Sequence, residues 1–317
     1  MALVHEFAWS ASRATGFAEC RRRHYYQYYG GWGGWKASAP AERRTMYLLG
    51  KLTRMPMVAG DAVHQSLARY FRLQPAHTAD EAEITDYALE ILRRKFRESR
   101  DGDWRRSASK YAHLAEHHYN EPMMEDRSAV AEYGKGFVDR IRACVRGFFT
   151  APGLSAVREA LPKSYVFVED DQTAFESFAY HGTKLYGSPD FAYRGDDGVV
   201  HLYDWKTGKP SPHDAFQLHV YAVYARERWD VPVEKFAAYD AYLATGEVKP
   251  CNITPDSLAE AEHEIENSIE GMRALHFDAD RSLGDPEDFP KIPLDAPESR
   301  ACRRCRFREL CGRTDMD

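Results

Sequence analysis

The 317-residue sequence has no run of about 18 apolar residues, which excludes a membrane-spanning helix. Its opening, MALVHEFAWSAS, lacks a cationic start followed by a long apolar stretch, so secretion is not indicated and the cytoplasm is the expected compartment. Disulfides are therefore not expected. A formal net charge of -6 excludes a generally cationic surface. No internal repeat, low-complexity segment or helicase motif occurs. The glycine-rich GWGGW at 31–35 is no phosphate loop, because no strand pattern leads into it and no Lys-Ser/Thr follows. Cysteine is scarce: of six, three lie within CRRCRFRELCG at 302–312.

A hydrophobic share of 44% supports a real core, and the length suits one large domain or two modest ones. Positive charge is concentrated locally, at Arg21–Arg23, at Arg93, Arg94, Lys95 and Arg97, and at Arg300, Arg303, Arg304, Arg306 and Arg308. Such patches are compatible with a phosphate backbone bound in one groove, although solvated helix faces explain the middle cluster equally well. Tyr25, Tyr26, Tyr28 and Tyr29 beside Arg21–Arg23 mix aromatics and cations as single-strand binders do, or serve as core on one face and surface on the other.

The pattern predicts a helix through RATGFAECRRRHYYQYY, capped by Ser12 and containing Cys20, and a second through PMVAGDAVHQSLARYF with Pro56 in its first turn. Residues 78–150 read as helical throughout, with Thr78 as a cap. From Tyr165 the apolar period changes from 3.6 to 2, in YVFVED, AFESFAY, KLYGSPDFAYRG and VVHLYDWKTG; the turn GDDG at 195–198 makes the last two an antiparallel hairpin. A helix (HDAFQLHVYAVYARERW), a strand (KFAAYDAYLAT), an edge strand (EVKPCNIT) and a long helix over about 255–275 follow.

The hairpin carries the chemistry. Asp204 and Lys206 are two apart and share a strand face, which Asp190 on the neighbouring strand can also reach. Two carboxylates at hard-ligand distance suit Mg²⁺ or Mn²⁺, and such an ion polarises a phosphate and activates a water. A lysine there can position the water or stabilise transition-state charge, where an ordinary cross-strand ion pair is the plainer alternative. Gln217 and Tyr221, four apart, lie on one face of the next helix.

GSPDF, DWK and QLHVY resemble motifs II, III and IV of the PD-(D/E)XK nuclease superfamily in its RecB-like branch, and GDAVH, ending in His64, resembles that branch's G-x-x-x-H helix. Cys20 followed by Cys302, Cys305 and Cys311 as C-x2-C-x5-C is similar to the iron-sulfur nucleases of that branch, the AddB C-terminal nuclease domain and the CRISPR-associated RecB-like exonucleases. The resemblance implies an α/β fold: a restriction-endonuclease-like mixed central sheet with flanking helices, formed as a single nuclease domain over 1–317. A helical insertion at 72–160 and a C-terminal cysteine cluster at 300–313, joined to Cys20, complete it. His64, Asp190 and Asp204, with the Trp205 carbonyl, would hold Mg²⁺ or Mn²⁺; Lys206 would be the catalytic lysine; Gln217 and Tyr221 would orient it or contact DNA. The implied reaction is phosphodiester hydrolysis leaving a 5′-phosphate, on single-stranded or end-bearing DNA. A helicase, or a CRISPR-adaptation or recombination protein, is the implied kind of partner. Pro189 departs from the family's usual aliphatic residue and suits an edge or bulge.

Four thiolates can hold a 4Fe-4S cluster or Zn²⁺; the resemblance favours the cluster, and either would tie residue 20 to residue 311. The arginines around Cys302–Cys311 would offset thiolate charge or line a DNA path. Two other functions stay open: a non-catalytic DNA-binding subunit on the same fold, and a zinc protease using His113 and His117 of HLAEHH, which would share a helix face. Cys144 and Cys251 read as packing residues.

Overall fold

The computed structural model describes residues 5–169, 176–275 and 284–314. The N-terminal half is mostly helical. β1 (Ala8–Trp9) leads into α1 (Ala11–Glu19), α2 (Arg21–Tyr25) and a π-turn at Tyr26–Gly30, followed by α3 (Ala41–Gly50), β2 (Leu52–Thr53), α4 (Met55–Leu73) and α5 (Glu81–Arg100). Then come β3 (His113–Leu114), α6 (Ala115–His118), α7 (Arg127–Thr150) and α8 (Ser155–Glu159). The second half contains β4 (Tyr165–Val168), β5 (Ser177–Tyr180), β6 (Thr183–Tyr186), β7 (Phe191–Arg194), β8 (Val200–Lys206), α9 (Asp214–Trp229), β9 (Phe236–Tyr242), β10 (Glu247–Cys251) and α10 (Pro255–Arg273).

The central sheet runs β10-β9-β8-β7-β4, antiparallel except for the parallel pair β8 and β9. A parallel pair needs a crossover, and α9 supplies it. Alternation along β8 sets the two layers. Tyr203 and Trp205 join a core with Val63, Leu67 and Phe71 of α4 and Cys144 and Phe148 of α7. Leu202 turns to the opposite face, against Leu218 and Ala222 of α9 and Ile265 of α10. Gly147 permits the closest approach of α7, since a Cβ there would lie 1.7 Å from the Leu243 carbonyl oxygen just beyond β9. This is the mixed, helix-flanked α/β architecture expected from the sequence.

Four local expectations need correction. The first helix does not run through Cys20: Ser10, rather than Ser12, caps α1, and Cys20 is extended at φ -160° and ψ 106°. Its sulfur accepts the Arg23 N–H at 3.4 Å and so starts α2. Residues 78–150 are not continuously helical: Asp80 caps α5, left-handed Gly102 (φ 77°) follows it, and β3 pairs in parallel with β2. KLYGSPDFAYRG is two strands in different sheets, β6 pairing with β1 and β5, and β7 pairing with β8 and β4. The break falls at Gly187–Asp190, so Pro189 lies outside any strand and removes no ladder hydrogen bond. Part of AFESFAY lies outside the described residues.

Candidate active site

The turn after β7 is closed by the Gly195 N–H to the Val199 carbonyl at 2.8 Å, which sets Phe191 opposite Tyr203. That register places Asp190, one residue before β7, level with Asp204. Asp190 is 6% and Asp204 4% exposed. The Trp205 N–H donates to Asp190 Oδ2 at 2.5 Å, and His64 Nδ1 donates to Asp190 Oδ1 at 2.9 Å. His64 reaches there because α4 packs close to the end of β8, where a Cβ on Gly60 would be 3.0 Å from Thr207 Oγ1. This is the physical use of the glycine in GDAVH.

Glu169, the residue after β4, completes a trio. Ligand atoms of His64, Glu169 and Asp190 lie within 4.8 Å of one another, and His64 Nδ1 is 3.9 Å from Glu169 Oε2. An octahedral ion with bonds of about 2.1 Å spans about 3.0 Å between adjacent ligands and about 4.2 Å between opposite ones. The 2.9 Å separation fits an adjacent pair and the 3.9 Å one lies between the two distances; one imidazole with two carboxylates is a donor set that can hold a divalent ion. Burial opposes charge on His64, but the bonded Asp190 carboxylate outweighs it and pushes the imidazole up to about 10. Burial, then the charge of Asp190, raises the carboxyls of Glu169 and Asp204.

Asp204 faces a different set of partners. Lys206 Nζ lies 2.6 Å from Asp204 Oδ2 and donates to Gln217 Oε1 at 2.9 Å; Gln217 Nε2 donates to the Tyr221 hydroxyl at 2.6 Å; that hydroxyl donates to Asp204 Oδ1 at 3.2 Å. The four side chains form a closed ring between β8 and α9. Asp214 and Asp240 flank the lysine at 3.4 and 3.5 Å. Burial opposes the ammonium, but Asp204, Asp240 and Asp214 together raise its pKa above the ordinary value, so Lys206 remains charged.

All seven residues read from the hairpin and helices, His64, Asp190, Asp204, Trp205, Lys206, Gln217 and Tyr221, are thus gathered in one place, with two differences of detail. Asp204 is turned to the lysine ring while Glu169 stands beside His64, and the contact of Trp205 with the carboxylates is through its N–H. Sequence reasoning missed Glu169, Asp214 and Asp240. Asp240 was signalled only by an acid inside an otherwise apolar strand, KFAAYDAY, which parallel pairing sets level with Asp204.

The four cysteines also converge. Cys20, Cys302, Cys305 and Cys311 line one small cavity with Tyr26 and Phe307, yet no three of their sulfurs lie within 4.8 Å of one another. Burial raises the thiols of Cys305 and Cys311. Arg313 Nη1 donates to Cys302 Sγ at 2.7 Å. The neighbouring arginines differ from expectation. Arg306 donates inward to the carbonyls of Gly50 and Leu52, and Arg308 lies 3.7 Å over the Tyr119 ring and pairs with Glu121, while Arg303 and Arg304 are exposed.

HLAEHH does not place its histidines on one helix. His113, on β3, is buried and stacked 3.7 Å from Trp104, while His117, on α6, bonds Ser99 Oγ at 2.8 Å. Glu116 Oε1 accepts from the Met55 N–H and the Tyr133 hydroxyl, each at 2.9 Å. These contacts are structural and remove the basis of the protease alternative. Cys144 is fully buried in the α7 core, the packing role expected of it.

Among known proteins, the model of one family, described as the PD-(D/E)XK nuclease superfamily, matches residues 8–312. No curated protein matches the chain.

Proposed function

The chain belongs to the PD-(D/E)XK nuclease superfamily, and from that membership we propose a Mg²⁺- or Mn²⁺-dependent deoxyribonuclease of the RecB-like branch, an exonuclease on single-stranded or end-bearing DNA. The observation that carries the reading is the trio of His64, Glu169 and Asp190 set against the Asp204–Lys206–Gln217–Tyr221 ring. His64, Asp190, Glu169 and, with its partners displaced, Asp204 would hold the ion. When bound, it would polarise the scissile phosphate and acidify a water. One water is consumed: its hydroxyl joins the phosphorus, the bond to the 3′ oxygen breaks, and a proton ends on that oxygen, leaving a 5′-phosphate. Lys206, kept cationic and fixed by Gln217, cannot take a proton from water; its part is to stabilise negative charge on the phosphate as the transition state forms. Tyr221 and Gln217 fix where that charge points.

The cysteines would hold a 4Fe-4S cluster. What supports that reading is the convergence of all four cysteines on one cavity, with Zn²⁺ the alternative ion for four thiolates. The resemblance further implies a helicase, or a CRISPR-adaptation or recombination protein, as partner. The test is end-labelled single- and double-stranded DNA incubated anaerobically with Mn²⁺ or with a chelator. Wild-type protein shortens the labelled strand only with metal, and Lys206→Ala does not. Cleavage by Lys206→Ala at the wild-type rate sinks the assignment.

A further inference from the structure

The aromatic residues near the N terminus divide in space. Tyr25, Tyr26 and Tyr29 are buried in a core with Phe289 and Phe307. Tyr28, Trp32 and Tyr47 are half-buried, and Trp35 is 39% exposed; with Tyr186 of β6 they line a separate cleft of about 360 Å³, within the range of small-ligand sites. Trp35 meets Trp32 edge-on at 4.9 Å and Tyr47 at 5.8 Å, leaving ring surface open.

The cleft is also cationic. The Arg13 guanidinium lies 4.5 Å from the Tyr28 ring centroid and 5.1 Å from that of Tyr186, and Lys51 Nζ is 5.5 Å from the Tyr47 centroid. Among the described residues neither Arg13 nor Lys51 has a carboxylate within 4 Å, whereas the cleft's third cation, Lys184, is paired with Glu6 at 3.3 Å. Positive charge without a carboxylate, set beside open ring faces, fits a ligand that is both anionic and flat. The Gln27 side-chain oxygen at the cleft, buried and without a hydrogen-bond partner, is an acceptor waiting for an N–H. A nucleobase with its phosphate combines all three features.

Position adds the last element. Tyr186 and Asp190 are four residues apart, so the cleft wall and the candidate metal ligand are at most about 14 Å apart. We propose that this cleft stacks an unpaired base of a single-stranded DNA whose adjoining phosphate is held by Lys51 and Arg13, a few nucleotides from the cleaved bond. The proposal deepens the nuclease reading and rests on it. A base paired inside a duplex cannot reach the rings, so the cleft selects single strands or frayed ends.

The experiment is binding in chelator, where nothing is cut, of a short labelled oligothymidylate, a blunt duplex of equal length, and thymidine monophosphate, followed by anisotropy and tryptophan quenching. The oligothymidylate binds with quenching. Trp35→Ala weakens it roughly tenfold or more, Trp35→Phe keeps most of the affinity, and Lys51→Ala lowers the slope of log K against log salt by about 0.7. Trp35 is exposed, so its thermal midpoint stays at the wild-type value. Undiminished single-strand binding by both Trp35→Ala and Tyr47→Ala overturns the proposal; so does equal quenching by the blunt duplex, or equal affinity for the mononucleotide, which would mark a free-nucleotide site. The two readings fail separately. Cleft-dependent binding without metal-dependent cleavage removes the nuclease and keeps the cleft. Cleavage lost in Lys206→Ala but unchanged, with binding, in Trp35→Ala does the reverse.

Discussion

The hairpin site and the cysteine cavity each draw ionisable groups from distant parts of the chain, but they satisfy them differently. At the hairpin the groups are bonded to one another: Asp190 takes His64 and the Trp205 N–H, and Asp204 takes Lys206 and Tyr221. At the cavity, burial raises the thiols of Cys305 and Cys311. A site whose members are hydrogen-bonded to each other holds its shape before any cofactor arrives. A pocket of buried thiols depends on the group that fills it. Chemistry should therefore fail at the first region without loss of fold, and fold should fail at the second.

The sharpest test of that contrast is Lys206→Ala. Removing one preorganised cation that faces transition-state charge costs about 10²–10³ in rate, while Mn²⁺ binding, measured calorimetrically, changes only a few-fold. If the two fall together, the contrast is wrong. Cys305→Ser addresses the other side: iron is lost from anaerobic protein, and stability falls by about 2–5 kcal/mol, the scale of a long-range cross-link. Purified wild-type protein that is colourless, carrying zinc and no iron, would contradict this.

Acid should weaken the packing on the cysteine side. His24 is 4% exposed among Phe17, Tyr28 and Phe289, and burial, then Arg13 and Arg23, lowers its pKa to about 3 from 6.5. The unfolded chain then binds the proton first, so stability present above pH 6.5 is lost as pH falls toward 3, about 3 kcal/mol by pH 4. Urea midpoints taken from pH 7 to 4 should fall, and His24→Phe should flatten part of that slope. The mildest change is Glu169→Gln, expected to weaken Mn²⁺ binding about tenfold with an unchanged thermal midpoint. Unaltered Mn²⁺ affinity would remove Glu169 from the ligand set.

What could be read from the sequence was local. Asp204 and Lys206 share a strand face by period 2, Gln217 and Tyr221 a helix face by a spacing of four, and both pairs are found where those periods put them. Glu169 could not be read this way, since its place beside His64 depends on β4 pairing with β7 and on the packing of α4. Asp240 became a neighbour of the lysine only through parallel register. The assignment of KLY and DFAYR to different sheets was hidden because both carry the same alternation, and nothing in a period of 2 says which partner a strand will choose. Cys20 looked helical because its neighbours are; its extended backbone answers to the cavity across the molecule.

The cavity joins residues 20 and 311, and a ribosome makes them far apart in time. At about 5–20 residues per second, Cys20 is synthesised roughly 15–60 s before Cys311. The hairpin, its helix and the Lys206 ring are all made within that interval, so the order of synthesis favours a formed central sheet before closure. An inserted cluster would then act as a seal set only once translation has passed residue 311.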